Sequence, residues 1–413
     1  MTDMRPLHMD GKVGPAKGIF SLKLLPPVML ILSEVWGRLL ALVLLPLFRL
    51  IYWCVPVPQV IWLIGENRGE CLEDNGHAFY RYCRSFYPNA PVYFLVKRRS
   101  PFYRREFMLD ENAIVYGSVR HMLFFSRARV VFYTHTYRDL MYRRFFKLFG
   151  GSKKMVYLHH GTLGFKKFDA FYQANRNIMD VFTVGSAFER DILVNQAGVD
   201  AERVRMTGYP RSDFLISNEC AKKKQLLYIP THRTHLSGKK KSGFIEQVDR
   251  LLENPALLGL LEAGDIVLKV YLHAYMQKTF SLKPVINRRI QVVAQGEESV
   301  GDLLCSSMLM ITDYSSVCWD FLSLGRPVVF YRFDLDNYGS ERDSYIDLRD
   351  ESFGEIAYDE DHLVRLIARY LAIDCKARED VLSAFGGIES RGDYSNCREI
   401  YDLSSQMFGS PKW

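Results

Sequence analysis

The sequence predicts two consecutive Rossmann-like α/β domains facing a central cleft, and three observations carry that prediction. Short, continuously apolar runs recur between residues 60 and 331, helical patterns separate them, and the pattern breaks near residue 218 and then restarts. Strands apolar on both faces and alternating with helices describe a parallel sheet covered on both sides. A chain of 413 residues is also long enough for two cores of ordinary size.

In order, "VIWLIG" (60–65), "PVYFLV" (91–96), "RVVFYT" (129–134), "MVYLH" (155–159), "VFTVG" (181–185) and "VRMTG" (204–208) are the expected strands of a first domain, residues 57–217. The charged stretch "NECAKKKQ" (218–225) opens a second domain, residues 218–375. Its expected strands are "LLYIPT" (226–231), "IVLKVYLH" (266–273), "IQVVA" (290–294), "MLMIT" (308–312) and "PVVFY" (327–331). Lys239 to Lys241 read as a loop, and residues 376–413 as a helical tail. Ligands of doubly wound sheets bind outside the C-terminal ends of the strands, so the polar segments that close these strands are expected to line one cleft.

Composition narrows the class. Apolar residues are 48% and charged residues 24% of the chain, a balance that excludes a disordered chain and a polytopic membrane protein. Eight scattered cysteines without a CxxC pair point to buried free thiols in a reducing compartment. The net charge of +7 suits an anionic partner. No recognisable nucleic-acid module is present, so nucleic acid is not expected to be that partner.

Residues 1–56 contain the most apolar stretch, Leu24 to Val55, but Glu34, Arg38, Pro46 and Arg49 interrupt it. A spanning helix needs about 20 mostly apolar residues. Glu34 and Arg38 are spaced to pair on one helix face, and Trp36, Tyr52 and Trp53 suit a headgroup interface. The expectation is an amphipathic helix lying in an anionic membrane surface. The alternatives are packing on the protein's own core, packing on a second copy in a homo-oligomer, and a single span. The stretch "YRDLMYRRFFKLFGGSKK" (137–154), with Arg138, Arg143, Arg144, Lys147, Lys153 and Lys154 among apolar residues, suits the same lipid surface or a core-facing helix with a solvated basic side.

Four segments carry chemistry. In "TDYSSVCWDFLSLG" (312–325) a strand ends near Thr312, and Asp313, Ser315 or Ser316 can cap the helix after it. That strand-to-helix turn is a candidate anion site or simply a capped helix. "YLHHGTLGFKKFD" (157–169) places His159, His160, Gly161 and Thr162 at another strand end, with Lys166 close behind. A neutral imidazole there can take a proton from a hydroxyl nucleophile. "GYPRSDF" (208–214), "YIPTHR" (228–233) and "LKVYLHAY" (268–275) each close a strand with a cation: Arg211, Arg233, and His273 with Lys269. Such groups match phosphate oxygens or form interdomain ion pairs. No GxGxxG, Walker, HxH or HExxH pattern occurs, and Asp334 and Asp336 in "FYRFDLDNY" (330–338) could hold Mg²⁺ but more simply cap a loop. No metal or cofactor is expected.

Together, "HHGT", "GYPRSD", "YIPTHR", "LKVYLH", "ITDYSSVCWDFLSLGRPVVFY" and "DLDNY", in this order, resemble the CDP-glycerol glycerophosphotransferase family, the primases and polymerases of teichoic-acid-like polymers. "ENRGECLEDNGHAFYRYC" (66–83) resembles the family's first loop and helix more loosely. His159, His232 and Ala274 depart from the family's usual residues, which bears on the acceptor more than on the reaction class. The resemblance implies a GT-B fold, a CDP-polyol donor as substrate, a lipid-linked or polymer acceptor, and peripheral attachment to the cytoplasmic face of the bacterial plasma membrane. It implies His160 as general base. His273 and Arg233 would offset charge on the leaving phosphate and Arg211 would steady it, while Thr312, Asp313, Ser315 and Ser316 bind the donor and His159, Thr162 and Lys166 line the rest of the cleft. The same fold would also serve a glycosyltransferase using a CMP-sugar, or a non-catalytic nucleotide- or lipid-binding subunit of a polymer assembly complex.

Overall fold

The computed structural model describes residues 58–412 except 71, 218–221, 232–237, 273–275, 278–281, 284, 295–296, 337, 339–342 and 387–392. Two wholly parallel sheets organise these residues. The first holds β1 (Ile61–Gly65), β2 (Val92–Val96), β3 (Ala113–Val115), β4 (Ala128–Tyr133), β5 (Lys154–Tyr157), β6 (Val181–Val184) and β7 (Val204–Met206), ordered β3-β2-β1-β4-β5-β6-β7. In the second, β8 (Gln225–Tyr228), β9 (Val267–Val270), β10 (Ile290–Val292), β11 (Leu309–Thr312), β12 (Val328–Tyr331) and β13 (Glu355–Ala357) take the order β10-β9-β8-β11-β12-β13. Trp62 pairs with both Val92 and Val130, and Met310 with both Leu227 and Val328, so β1 and β11 are central strands.

The residues explain the layers. Along β8, Leu226 and Tyr228 face one core while Leu227 and Ile229 face another, the period-two alternation of a strand covered on both sides. Among the helices are α1 (Asn75–Phe86), α2 (Val119–Arg127), α3 (Arg143–Phe149), α4 (Pro210–Ser217), α5 (Gly238–Glu253), α6 (Val317–Ser323) and α7 (Ser395–Phe408). The last returns to the first sheet. Cys397, Ile400, Tyr401 and Phe408 join the Trp62, Phe79 and Phe132 core, Tyr401 stacks on Tyr87 at 3.8 Å, and Lys412 bridges to Val60. Asp213, buried in α4, accepts from the backbone N–H of Cys397 at 2.8 Å and so caps α7 from across the fold. Beside it, Gly208 has φ +72°, and a Cβ there would sit 2.4 Å from Asn396 Cγ, so only glycine fits.

Several expectations need correction. Lys239 to Lys241 lie in the first turn of α5, not in a loop. Lys153, expected on a lipid-facing patch, is buried and donates to the carbonyls of Ser126 and Ala128, while Lys154 pairs with Asp180. Cys83, Cys318, Cys375 and Cys397 are buried free thiols, whereas Cys305 is disulfide-bonded. The expected membrane-surface helix lies outside the described residues. Among the described residues, no helix is long and apolar enough to cross a membrane.

Candidate active site

The strand ends of the first sheet converge on one cluster. Glu66, just after β1, accepts from the backbone N–H groups of Asp74 (2.9 Å) and His77 (2.7 Å), and so pins the start of α1. Asp74 is the N-cap of α1, its Oδ1 accepting from Asn75 N at 2.8 Å. Asn75 then ties three segments together. Its Nδ2 donates to the carbonyls of Leu158 and His159, and its Oδ1 accepts from Arg211 N at the start of α4.

That framework aims His160 outward. His159 adopts φ +58°, an uncommon conformation for a side-chain-bearing residue, and the turn leaves His159 buried and His160 63% exposed. His160 Nδ1 lies 2.5 Å from Asp74 Oδ2. Burial alone would raise the Asp74 carboxyl, but His160 and Arg211 outweigh it and hold the group down at about 2. An ionised carboxylate only accepts, so in the neutral imidazole Nδ1 carries the proton and the lone pair lies on Nε2. The arrangement is an oriented base.

Arg211 sits beneath it, 17% exposed, with its forks spent. Nη1 donates to Asp74 Oδ1 (2.6 Å) and to the His160 carbonyl, and Nε and Nη2 grip the two oxygens of Asp320 in α6 at 3.0 Å each. Burial opposes its charge, while Asp320 and Asp74 keep it firmly protonated. These contacts make Arg211 the strut that joins the base loop to α6. The same contact brings Ser316 to Gly161, where a Cβ would lie 3.3 Å from Ser316 Oγ.

The rest of the expected phosphate cradle divides. Ser315 and Ser316 reach the surface, but Ser316, the N-cap of α6, makes no side-chain cap bond. Thr312 and Asp313 are buried: the Thr312 hydroxyl donates to the Ile229 carbonyl at 2.7 Å, and Asp313 Oδ1 accepts from Thr231 N (2.8 Å) and Tyr314 N (2.5 Å). They shape the strand ends. Arg233 and His273 lie outside the described residues.

The other cleft expectations also shift. His159 is buried beside Glu189, its Nε2 without a hydrogen-bond partner, and burial pulls its imidazole down to about 3. Thr162 is buried against the Tyr209 hydroxyl. Glu189 accepts from Leu163 N, Gly185 N and the Tyr209 hydroxyl, fastening the loop after β5 from below, and burial lifts its carboxyl to about 7. Lys166 is partly exposed farther along the same loop.

Sequence reasoning did not single out Asp74, Asn75, Asp320 or His135. His135, after β4, packs its ring 4.1 Å from that of His160, and burial pulls it down to about 4. Asp139 accepts from His135 N at 2.8 Å and holds this turn in place. Asp74, His135 and His160 can each offer one ligand atom, all within 4.8 Å of one another. Asp334 and Asp336, by contrast, are engaged by Tyr314 and Arg349.

Comparison with known proteins decides the family. The model of the CDP-glycerol:poly(glycerophosphate) glycerophosphotransferases matches residues 47–385. The chain belongs to that family. Among curated relatives of this glycerophosphotransferase family, the minor teichoic acid biosynthesis protein GgaB of Bacillus subtilis is 22% identical over 84% of this chain and 40% of its own. A teichoic acid ribitol-phosphate primase of Bacillus spizizenii is 28% identical over 54% and 63%. The chain thus spans less than two thirds of these relatives' lengths. A solved wall teichoic acid polymerase, TagF, superposes with a TM-score of 0.66 at 18% identity, over 91% of this chain and 99% of that one, which establishes the shared α/β fold. A UDP-N-acetylglucosamine 2-epimerase from Listeria monocytogenes shares it more distantly, with a TM-score of 0.53 at 13% identity, over 85% of this chain and 97% of that one.

Proposed function

We propose that the protein transfers a polyol phosphate, glycerol phosphate first among candidates, from a CDP-alcohol to a hydroxyl of a lipid-linked or polymer acceptor, releasing CMP. The observation that carries the reading is the His160–Asp74 pair, an exposed, oriented imidazole at the strand ends of a chain from this family. The two sheets are read as the halves of a GT-B enzyme.

His160 Nε2 takes the proton of the acceptor hydroxyl as its oxygen attacks the polyol-bearing phosphorus. The new O–P bond forms as the bond to the CMP oxygen breaks, and the electron pair leaves with CMP. Asp74 keeps the proton on Nδ1 and stabilises the imidazolium. Ser316, next to Gly161 of the base loop, and Ser315 are proposed to meet the donor's oxygens. Arg233 and His273 are proposed to face the leaving phosphate. No metal or cofactor is required in this scheme.

Arg143, Arg144, Lys147 and Leu148 are exposed on α3, which buries no residue, and support peripheral attachment to the anionic cytoplasmic face of a bacterial membrane. The test is acceptor-dependent CMP release from CDP-glycerol, CDP-ribitol and CMP-sugars, each with a lipid-like acceptor. Release from a CDP-polyol supports the reading and names the donor. Release only from a CMP-sugar moves the protein to the glycosyltransferases, and silence with every donor counts against catalysis.

A further inference from the structure

We propose that Asp74, His135 and His160 form a three-ligand site for a zinc-class divalent ion, and that an ion held there switches the base off. The three side chains come from three different loops, after β1, β4 and β5, so no spacing motif announces them. Their ligand atoms lie within 4.8 Å of one another. A tetrahedral zinc ion with bonds of about 2.0–2.1 Å needs ligands roughly 3.4 Å apart, so side-chain movements of about 1 Å complete the site.

The structure supplies that movement in the right place. Asp74 is fixed through Oδ1, which accepts from Asn75 N at 2.8 Å and Arg211 at 2.6 Å, leaving Oδ2 to the ion. His135 is fixed too. Its Nδ1 lies 2.8 Å from Thr134 Oγ1, the outer partner a ligating imidazole needs, and Nε2 is left as the donor. His160 is the exposed member and can turn without disturbing the core.

Two imidazoles and one carboxylate suit zinc, copper or nickel, not magnesium, which prefers six oxygens. Three protein ligands leave a fourth position open. An ion there breaks the 2.5 Å His160–Asp74 hydrogen bond and occupies a ring nitrogen of His160. Arg211 remains on the other Asp74 oxygen, and its charge limits affinity, so the ion is one that comes and goes. This consequence for turnover rests on the phosphotransfer reading, whereas the site itself rests on geometry alone.

The test titrates Zn²⁺ into the tag-free full chain against a chromophoric chelator, with Co²⁺ absorption as a second probe of ligand geometry. The expected result is one equivalent bound, unmoved by excess Mg²⁺, and weakened roughly 10–100-fold or more in each of His135→Ala, His135→Gln and His160→Ala. No stoichiometric binding, or binding equal in all variants, overturns the site. CMP release is then followed at Zn²⁺ concentrations that fill the site. Loss of turnover, restored by chelator, supports the switch, and binding without loss overturns it. A chain that binds zinc but releases no CMP from any donor sinks the phosphotransfer reading and leaves the site standing.

Discussion

At the residue scale, the site is a chain of supports ending in one exposed ring. Asp74 is at once helix cap, partner of Arg211 and anchor of His160. Asp74→Asn keeps the shape but offers an amide where the imidazole needs an acceptor, so the wrong tautomer becomes accessible. Turnover should fall by about 10²–10⁴-fold with KM little changed, read from steady-state CMP release. Arg211→Ala leaves two buried carboxylates, Asp74 and Asp320, without their cation. Urea unfolding should show a loss of about 3–5 kcal/mol, because breaking a buried pair strands the remaining charge. The pair His159–His160 stood out in the sequence because two histidines before Gly-Thr close a strand, and the family resemblance singled out His160 as the base. Asp74 did not stand out, because a carboxylate at a helix start is ordinarily just a cap, and its partner lies 86 residues away.

At the scale of elements, continuous apolar runs located most of the strands. β3 ("AIV") and β13 ("EIA") escaped the sequence reading, although β7 and β10, edge strands just as short, were found. Thr312 and Asp313 were legible as a strand end. Their burial was not, because it depends on Ile229 and Thr231 from β8's loop arriving beside them. The closing helix α7 reads as a tail in sequence, yet its apolar face completes the first core and its cap comes from Asp213 in α4. Asp213→Ala should lower stability by about 1–2 kcal/mol in urea unfolding. Limited proteolysis should then cut earlier at the start of α7 than in the wild type, if the cap holds the helix to the core.

Across the whole molecule, buried neutral histidines set the response to acid. His121 accepts from Gly117 N at Nδ1 and donates from Nε2 to the Leu140 carbonyl, and burial pulls it from its usual 6.5 to about 4. Above pH 6.5 it is neutral whether the chain is folded or not. Below that, the unfolded chain takes a proton the folded chain refuses until about pH 4, so stability is lost as pH falls through this window. Between pH 7.5 and 5 the loss from this one group is about 2 kcal/mol. Urea unfolding at the two values should show it, with a flatter slope in His121→Gln. Chemistry rests on a different histidine: the exposed imidazole of His160, oriented by Asp74, is proposed to drive transfer from a CDP-alcohol. The most direct measurement is acceptor-dependent CMP release from CDP-glycerol by the wild type and by His160→Ala, with folding checked by circular dichroism. The variant should release CMP about 10²–10⁴-fold more slowly. A folded His160→Ala protein that releases CMP at the wild-type rate would contradict that.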